Sequence, residues 1–288
     1  MYSGLLTAAW IASGTGAEMD AAGRVAVVTG ASAGIGKACA ERLAAAGWAV
    51  TGASRRGTGG SGWAGLVMDV DTDASVQEGI AGVVAREGRV DALVAAAGWG
   101  VAGAAEYTSI AEAKAQFETN FWGCVRVVQA VLPHMRAQGA GRIVLISSIG
   151  GVIGIPFQAY YSASKFALEG FAEATAYEVA PFGVHVTLVQ PGNIATDFTA
   201  CRVFAGGGAG DSAYSAAMTK AISLMERDEA NGAPAGQVAA AIERVLSATR
   251  PPRRMSVGKA AERAGLLAKR LLPFRVFEAA AKGSLGVE

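Results

Sequence analysis

The run Arg24-Val25-Ala26-Val27-Val28, continued by Thr29-Gly30-Ala31-Ser32-Ala33-Gly34-Ile35-Gly36, decides the fold. Its apolar, mostly β-branched first part predicts a buried strand, and the glycines at 30, 34 and 36 predict a tight turn. Residues 37–46 carry a helical pattern. Strand, glycine-rich turn and helix in that order let a pyrophosphate approach the backbone, where the helix amino end offers free N–H groups and a partial positive charge. A glycine-rich turn alone is also ordinary loop chemistry, so the flanking strand and helix favour the nucleotide reading.

The same alternation runs outward along the chain. Further strands are predicted at residues 49–53, 66–68, 91–96, 142–146, 184–189 and 254–257, separated by helical patterns at 111–136, 160–179 and 237–247 and one beginning near Ala74. Such alternation implies a parallel sheet covered on both faces. The expected fold is α/β, a Rossmann-like doubly wound parallel sheet of about seven strands in a single domain with a substrate lid. Its expected limits are residues 23–257, after a flexible extension over 1–22 and before a helical tail over 258–288. Within the extension, the apolar patch at 5–12 has no Lys or Arg ahead of it, so a signal peptide is incomplete, and Met19 offers an internal start. Residues 198–232, with Gly206-Gly207-Gly208 and Gly210, read as a mobile lid or as a packed surface helix.

The second strand ends at Ser54-Arg55-Arg56. An acidic residue there binds the ribose hydroxyls of NAD, whereas arginine suits the 2′-phosphate of NADP. NADP is therefore expected over NAD, against a solvated basic turn or mixed cofactor use. After the third strand, the Asp69 carboxylate beside Val70 is placed to accept from an adenine amino group, while Asp73 reads as a helix cap.

A second stretch carries the chemistry. Tyr161 and Lys165 are four residues apart on a predicted helix and share a face, with Ser148 at the carboxyl end of the strand over 142–146, where open α/β sheets bind ligands. A tyrosine ionises near pKa 10, and a fixed cation close by favours the phenolate, so Lys165 is expected to turn Tyr161 into an acid/base group. The bland alternative is an exposed helix pair. Tyr160 has Ser164 rather than a lysine four residues on. Asn120 lies inside a helical pattern at a cost in propensity, and its neighbours Trp122 and Gly123 leave structural and functional roles equally open.

Composition limits the partners. Of 288 residues, 52% are apolar, and 25 Lys and Arg balance 24 Asp and Glu, so no basic field is available for nucleic acid. Cys39, Cys124 and Cys201 show no paired spacing, and His134 and His185 no ligand spacing, so neither a disulfide framework nor a metal is expected, and a reducing cytoplasm fits. No run is long enough for a transmembrane segment. The basic amphipathic pattern at 260–272 is expected to pack on its own domain or on a neighbouring subunit, with weak membrane-surface association as the lesser alternative.

Taken together, Thr29 to Gly36, Asn120, Ser148, Tyr161-Ser162-Ala163-Ser164-Lys165 and Pro191-Gly192 resemble the short-chain dehydrogenases/reductases over residues 24–196. The resemblance implies a catalytic set of Asn120, Ser148, Tyr161 and Lys165: Ser148 bonds the substrate oxygen, Tyr161 exchanges its proton, Lys165 holds the nicotinamide ribose and Asn120 positions a relay water. It also implies cofactor contacts at Gly30, Ser32, Gly34, Ile35, Gly36, Ser54, Arg55, Arg56, Asp69, Val70, Ala97, Gly98, Tyr161, Lys165, Pro191, Gly192, Ile194 and Thr196, and hydride transfer between a nicotinamide and a ketone or aldehyde and its alcohol. A homodimer or homotetramer is usual for such enzymes. Residues 157–169, 177–183 and 250–252 are similar to the 17β-hydroxysteroid and retinol dehydrogenase subgroup, implying a bulky apolar substrate. One departure is Ala95-Ala96-Ala97-Gly98, where the family commonly has Asn-Asn-Ala-Gly, so a side-chain tie between strands is expected to be missing. The competing reading is a regulator that binds NADP without turnover.

Overall fold

The computed structural model describes residues 23–206 and 213–285. The expected amino-terminal extension, and the glycines at 207, 208 and 210, lie outside them.

The first half of the chain forms β1 (Val25–Thr29), α1 (Gly34–Ala45), β2 (Ala49–Ser54), β3 (Ala64–Val67), α2 (Asp73–Glu87) and β4 (Ala92–Ala95). A two-residue strand β5 (Val101–Ala102) precedes α3 (Ile110–Phe117) and α4 (Cys124–Gln138), followed by β6 (Gly141–Ile146), α5 (Ala159–Val179) and β7 (Val184–Pro191). The remainder comprises β8 (Ile194–Ala195), β9 (Val203–Phe204), α6 (Ser215–Ala230), β10 (Ala233–Pro234), α7 (Ala235–Ser247), β11 (Arg254–Val257), α8 (Ala260–Leu271) and α9 (Phe274–Leu285).

Seven strands make one sheet in the order β11-β7-β6-β4-β1-β2-β3, and every pair is parallel. The chain winds from β1 to β2 and β3, then crosses back to β4 on the other side of β1. That reversal opens a crevice at the strand carboxyl ends, the place where ligands bind in such sheets. Because neighbouring residues of a strand face opposite ways, two cores result. Val27, Leu93, Ile143 and Leu145 pack under α2, α4 and α5, while Ala26, Val28, Val94 and Val144 pack under α1 and α7.

One local feature departs from the sequence reading. The helix expected over 111–136 is broken between α3 and α4 by a wider, π-helical turn at Glu118–Gly123. Tertiary contact explains it: Asn120 is bonded to the backbone of Trp99, and a Cβ on Gly123 would lie 2.8 Å from the Val70 side chain. Within the span of the expected tail, the chain beyond Pro273 forms α9, because proline ends one helix yet is well tolerated where the next begins.

Candidate active site

The crevice holds a cleft of about 770 Å³. Of the residues expected to form the site, all but Asn120 line it: the glycine turn, Ser54 to Arg56, Asp69 and Val70, Ala97 and Gly98, Ser148, Tyr161, Lys165, Pro191, Gly192, Ile194 and Thr196.

Ser148 sits where β6 leaves the sheet, and its hydroxyl oxygen accepts from the Gly150 N–H at 2.9 Å, starting a short 3-10 turn. A Cβ on Gly150 would lie 3.2 Å from the Tyr161 ring and 3.3 Å from Ser148 Oγ, so the serine hydroxyl and the tyrosine ring flank the same spot. Behind this turn, the Glu169 carboxylate of α5 accepts from the Ser147 hydroxyl at 2.6 Å and from Gln190 at 2.9 Å, while Arg254 of β11 donates to it at 2.9 Å. Three strands and a helix thus fix the turn that carries Ser148. Tyr161 is 9% exposed, and its ring meets the edge of Phe198 at a centroid distance of 5.8 Å.

The Tyr161 phenol and Lys165 ammonium do face one cleft, but the expected acidification is not what this arrangement produces. Burial pushes the phenol above its ordinary pKa; Ser148 pulls it back, Glu229 pushes it further up and Arg202 pulls it down. Lys165 Nζ lies 5.9 Å from the Tyr161 ring centre and donates instead to the Ile146 carbonyl at 2.9 Å. Burial lowers Lys165 itself to about 8, weakening the very charge that was to act on the phenol.

Asn120 stands behind the cleft wall. Its Oδ1 accepts from Trp99 N–H at 3.0 Å, and its Nδ2 donates to Trp99 carbonyl at 2.9 Å and to Ser164 Oγ at 3.3 Å. It is buried and occupied by protein partners, so the geometry gives it a positioning part. The tie expected to be lost at Ala96 is supplied from the opposite strand. The Thr29 hydroxyl oxygen accepts from the N–H groups of Ala96 and Ala97 at 3.1 and 3.2 Å.

The other half of the cleft fits a dinucleotide. Ala33 precedes α1 in extended conformation with no side-chain cap, and no acidic residue occupies the first turn, so the leading N–H groups of α1 stay available to a phosphate. Gly30 has φ +67°, and a Cβ there would lie 2.9 Å from the backbone of Ala96 and Ala97, so only glycine leaves this cradle open. Arg56 Nη2 donates to Ser32 Oγ at 2.8 Å, drawing a guanidinium over the turn. Ser54 is buried, and its hydroxyl accepts from the Gly57 N–H at 3.1 Å.

The short chain dehydrogenase pattern matches residues 24–203. The chain belongs to that family. The 3-ketodihydrosphingosine reductase of Bacteroides thetaiotaomicron is 41% identical over 82% of this chain and 88% of its own length. Human retinol dehydrogenase 8 is 44% identical over 46% of this chain, and only 41% of that protein is covered. Among solved structures, a short-chain dehydrogenase from Streptomyces avermitilis superposes with a TM-score of 0.77 at 34% identity, covering 90% of this chain and 97% of its own. This short-chain dehydrogenase is accordingly an oxidoreductase of CH–OH or C=O groups with an NAD(P)-binding fold. None of its described helices is long and apolar enough to cross a membrane, and no cluster of three His, Cys, Asp or Glu suited to a metal occurs among the described residues.

Several contributors to the cleft were not read from the sequence. Asp71 lines it with one oxygen accepting from Thr119 at 2.9 Å and the other buried without a partner; burial and the nearby Asp69 and Glu118 raise its pKa despite the Thr119 bond and Arg55. Glu229 of α6 forms the wall near Tyr161 and accepts from Arg202 at 2.5 Å and from Thr199 at 2.6 Å. Arg202 is buried, with its Nε and Nη1 lacking hydrogen-bond partners and Nη1 3.7 Å from the Glu226 carboxylate. Cys201 also lies on the cleft and is exposed, whereas burial pushes Cys39 and Cys124 up to about 12. The pairings of Arg202 and Glu229 bridge 27 positions, and no local spacing announces them.

Proposed function

We propose that this short-chain dehydrogenase is an NADP-dependent reductase that interconverts a bulky, mostly apolar ketone or aldehyde and its alcohol, with Tyr161 as the acid/base group. The observation that carries this reading is that Ser148 and Tyr161 stand side by side, both next to Gly150, on the wall of the cleft that also contains the open phosphate cradle. Ser148 and Tyr161 together address one substrate oxygen: Ser148 orients it, and Tyr161 gives or takes its proton. The buried phenol is protonated at neutral pH, which suits a proton donor in the reducing direction.

When bound, NADPH supplies the hydride. The amino end of α1 with Gly30, Ser32, Gly34, Ile35 and Gly36 would hold its pyrophosphate, and Ser54, Arg55 and Arg56 its 2′-phosphate. Asp69 and Val70 would hold the adenine, Lys165 with Ala97 and Gly98 the ribose, and Pro191, Gly192, Ile194 and Thr196 the nicotinamide end. Asn120 acts through the Trp99 backbone and Ser164 that it fixes. The segment over 198–206 and 213–232 covers the substrate half, contributing Phe198, Val203 and Met225 to the wall. Those side chains, with Ile149 and Ile155, support an apolar substrate, as do the relatives named for 3-ketodihydrosphingosine and retinol.

A panel of steroid, retinoid, long-chain and small carbonyl compounds, followed by NADPH absorbance and repeated with NADH, tests the proposal. Tyr161→Phe should lower turnover of the responsive compound by at least about a hundredfold while leaving thermal unfolding intact. Retained turnover overturns the proton donor, equal rates with NADH overturn the cofactor preference, and NADPH binding without oxidation across the panel favours a sensor.

A further inference from the structure

The outward faces of α8 and α9 expose Leu267, Leu271, Leu272, Phe274 and Val276 at 57%, 68%, 42%, 73% and 54%. These side chains surround the turn at Pro273 and are not scattered singly. Arg263, Arg270 and Arg275 are interleaved with them and exposed, and none makes an ion pair with a described residue. From 259 to 285 the sequence carries Lys259, Arg263, Lys269, Arg270, Arg275 and Lys282 against only Glu262 and Glu278, in a protein whose overall balance is +1. Both acidic groups are engaged. Glu262 accepts from Asn193 and from Lys259 N–H, and Glu278 pairs with Lys282 at 3.2 Å.

An apolar ridge studded with unpaired arginines suits the boundary of an anionic bilayer: the leucines and phenylalanine enter the acyl edge, and the guanidiniums meet headgroup phosphates in forked hydrogen bonds. A second copy of the chain fits it less well. An isologous contact would press the arginines against their own counterparts with no free carboxylate on the ridge to receive them.

The ridge is also rooted beside the cleft. Glu262 of α8 accepts from Asn193 N–H at 3.1 Å and from its amide Nδ2 at 2.8 Å, and Asn193 lines the cleft. Two turns further, Lys269 donates to the Val152 carbonyl in the loop after Ser148, and its ammonium stands 5.2 Å from the Phe166 ring centre. We propose that α8 and α9 are a peripheral membrane seat that lays this side of the cleft against an anionic lipid surface. The seat stands apart from the reaction proposed above; only its corollary, that an apolar carbonyl compound enters from the bilayer, rests on that reading.

The test is sedimentation of the full chain with phosphatidylcholine vesicles, with and without phosphatidylglycerol. Binding is expected only with phosphatidylglycerol, weakening as salt rises. The exposed double variants Leu271→Asp with Phe274→Asp, and Arg270→Gln with Arg275→Gln, should each lower partitioning about tenfold or more, with circular dichroism and NADPH binding unchanged. No binding to the anionic vesicles at low salt overturns the seat, and so does unchanged partitioning of both variants. An apolar variant that dissociates an oligomer while vesicle binding persists assigns the ridge to self-assembly and likewise overturns it.

Discussion

At Tyr161 the proton affinity is a balance between a dry environment and a few charged neighbours. Glu229 resists ionisation of the phenol, while Ser148 and Arg202 favour it. On the proposed mechanism the protonated phenol is the working form in the reducing direction, so activity is expected to fall as pH climbs through its pKa. Glu229→Gln removes the resisting charge and leaves Arg202 less compensated; both effects lower the phenol pKa. The falling limb of kcat/KM should therefore move to lower pH, and a limb that stays in place or moves upward would show that Glu229 does not act on the phenol. That carboxylate was invisible in the sequence because it belongs to no motif, and only the fold brings α6 against Tyr161. Ser148, Tyr161 and Lys165 were legible because one spacing and one strand end placed them, whereas the depression of Lys165 depends on burial that spacing does not report.

At the scale of elements, one hydroxyl extends the joint between β1 and β4 past the end of their ladder. Thr29 serves two N–H groups across the switch point, directly beneath the phosphate cradle. Thr29→Val keeps the shape and strips both donors of their partner, which should cost about 1–3 kcal/mol in urea unfolding and weaken NADPH binding. A neutral result would mean that water replaces the hydroxyl at no cost. Strand and helix positions followed from hydrophobic period and glycine placement, since local propensity and global packing agree there. They agree less at residues 118–123, where Asn120 and Gly123 answer to Trp99 and Val70 rather than to the helix around them.

For the whole molecule, the parallel sheet buries Lys165 between β6 and the cleft, and stability inherits that burial. The ammonium ordinarily releases its proton near 10.5 but in the folded chain near 8, so between those values the unfolded chain holds more protons. The penalty for a buried charge is complete below about pH 8 and disappears as pH rises toward 10.5, so stability gains across that window. Against Lys165→Met, which lacks the charge, the wild-type protein should improve by roughly 3 kcal/mol over the interval, read from paired denaturation curves. Parallel curves would place the ammonium in water. The overall architecture was legible because alternation of strands and helices admits few arrangements, while the long-range ion pairs that tie segments together leave no local trace. The distribution of thiols has a practical corollary: Cys39 and Cys124 are sealed inside, whereas Cys201 opens onto the cavity. The protein therefore comes with one natural attachment point for an alkylating dye, whose rate of capture reports in real time whether the chamber is filled.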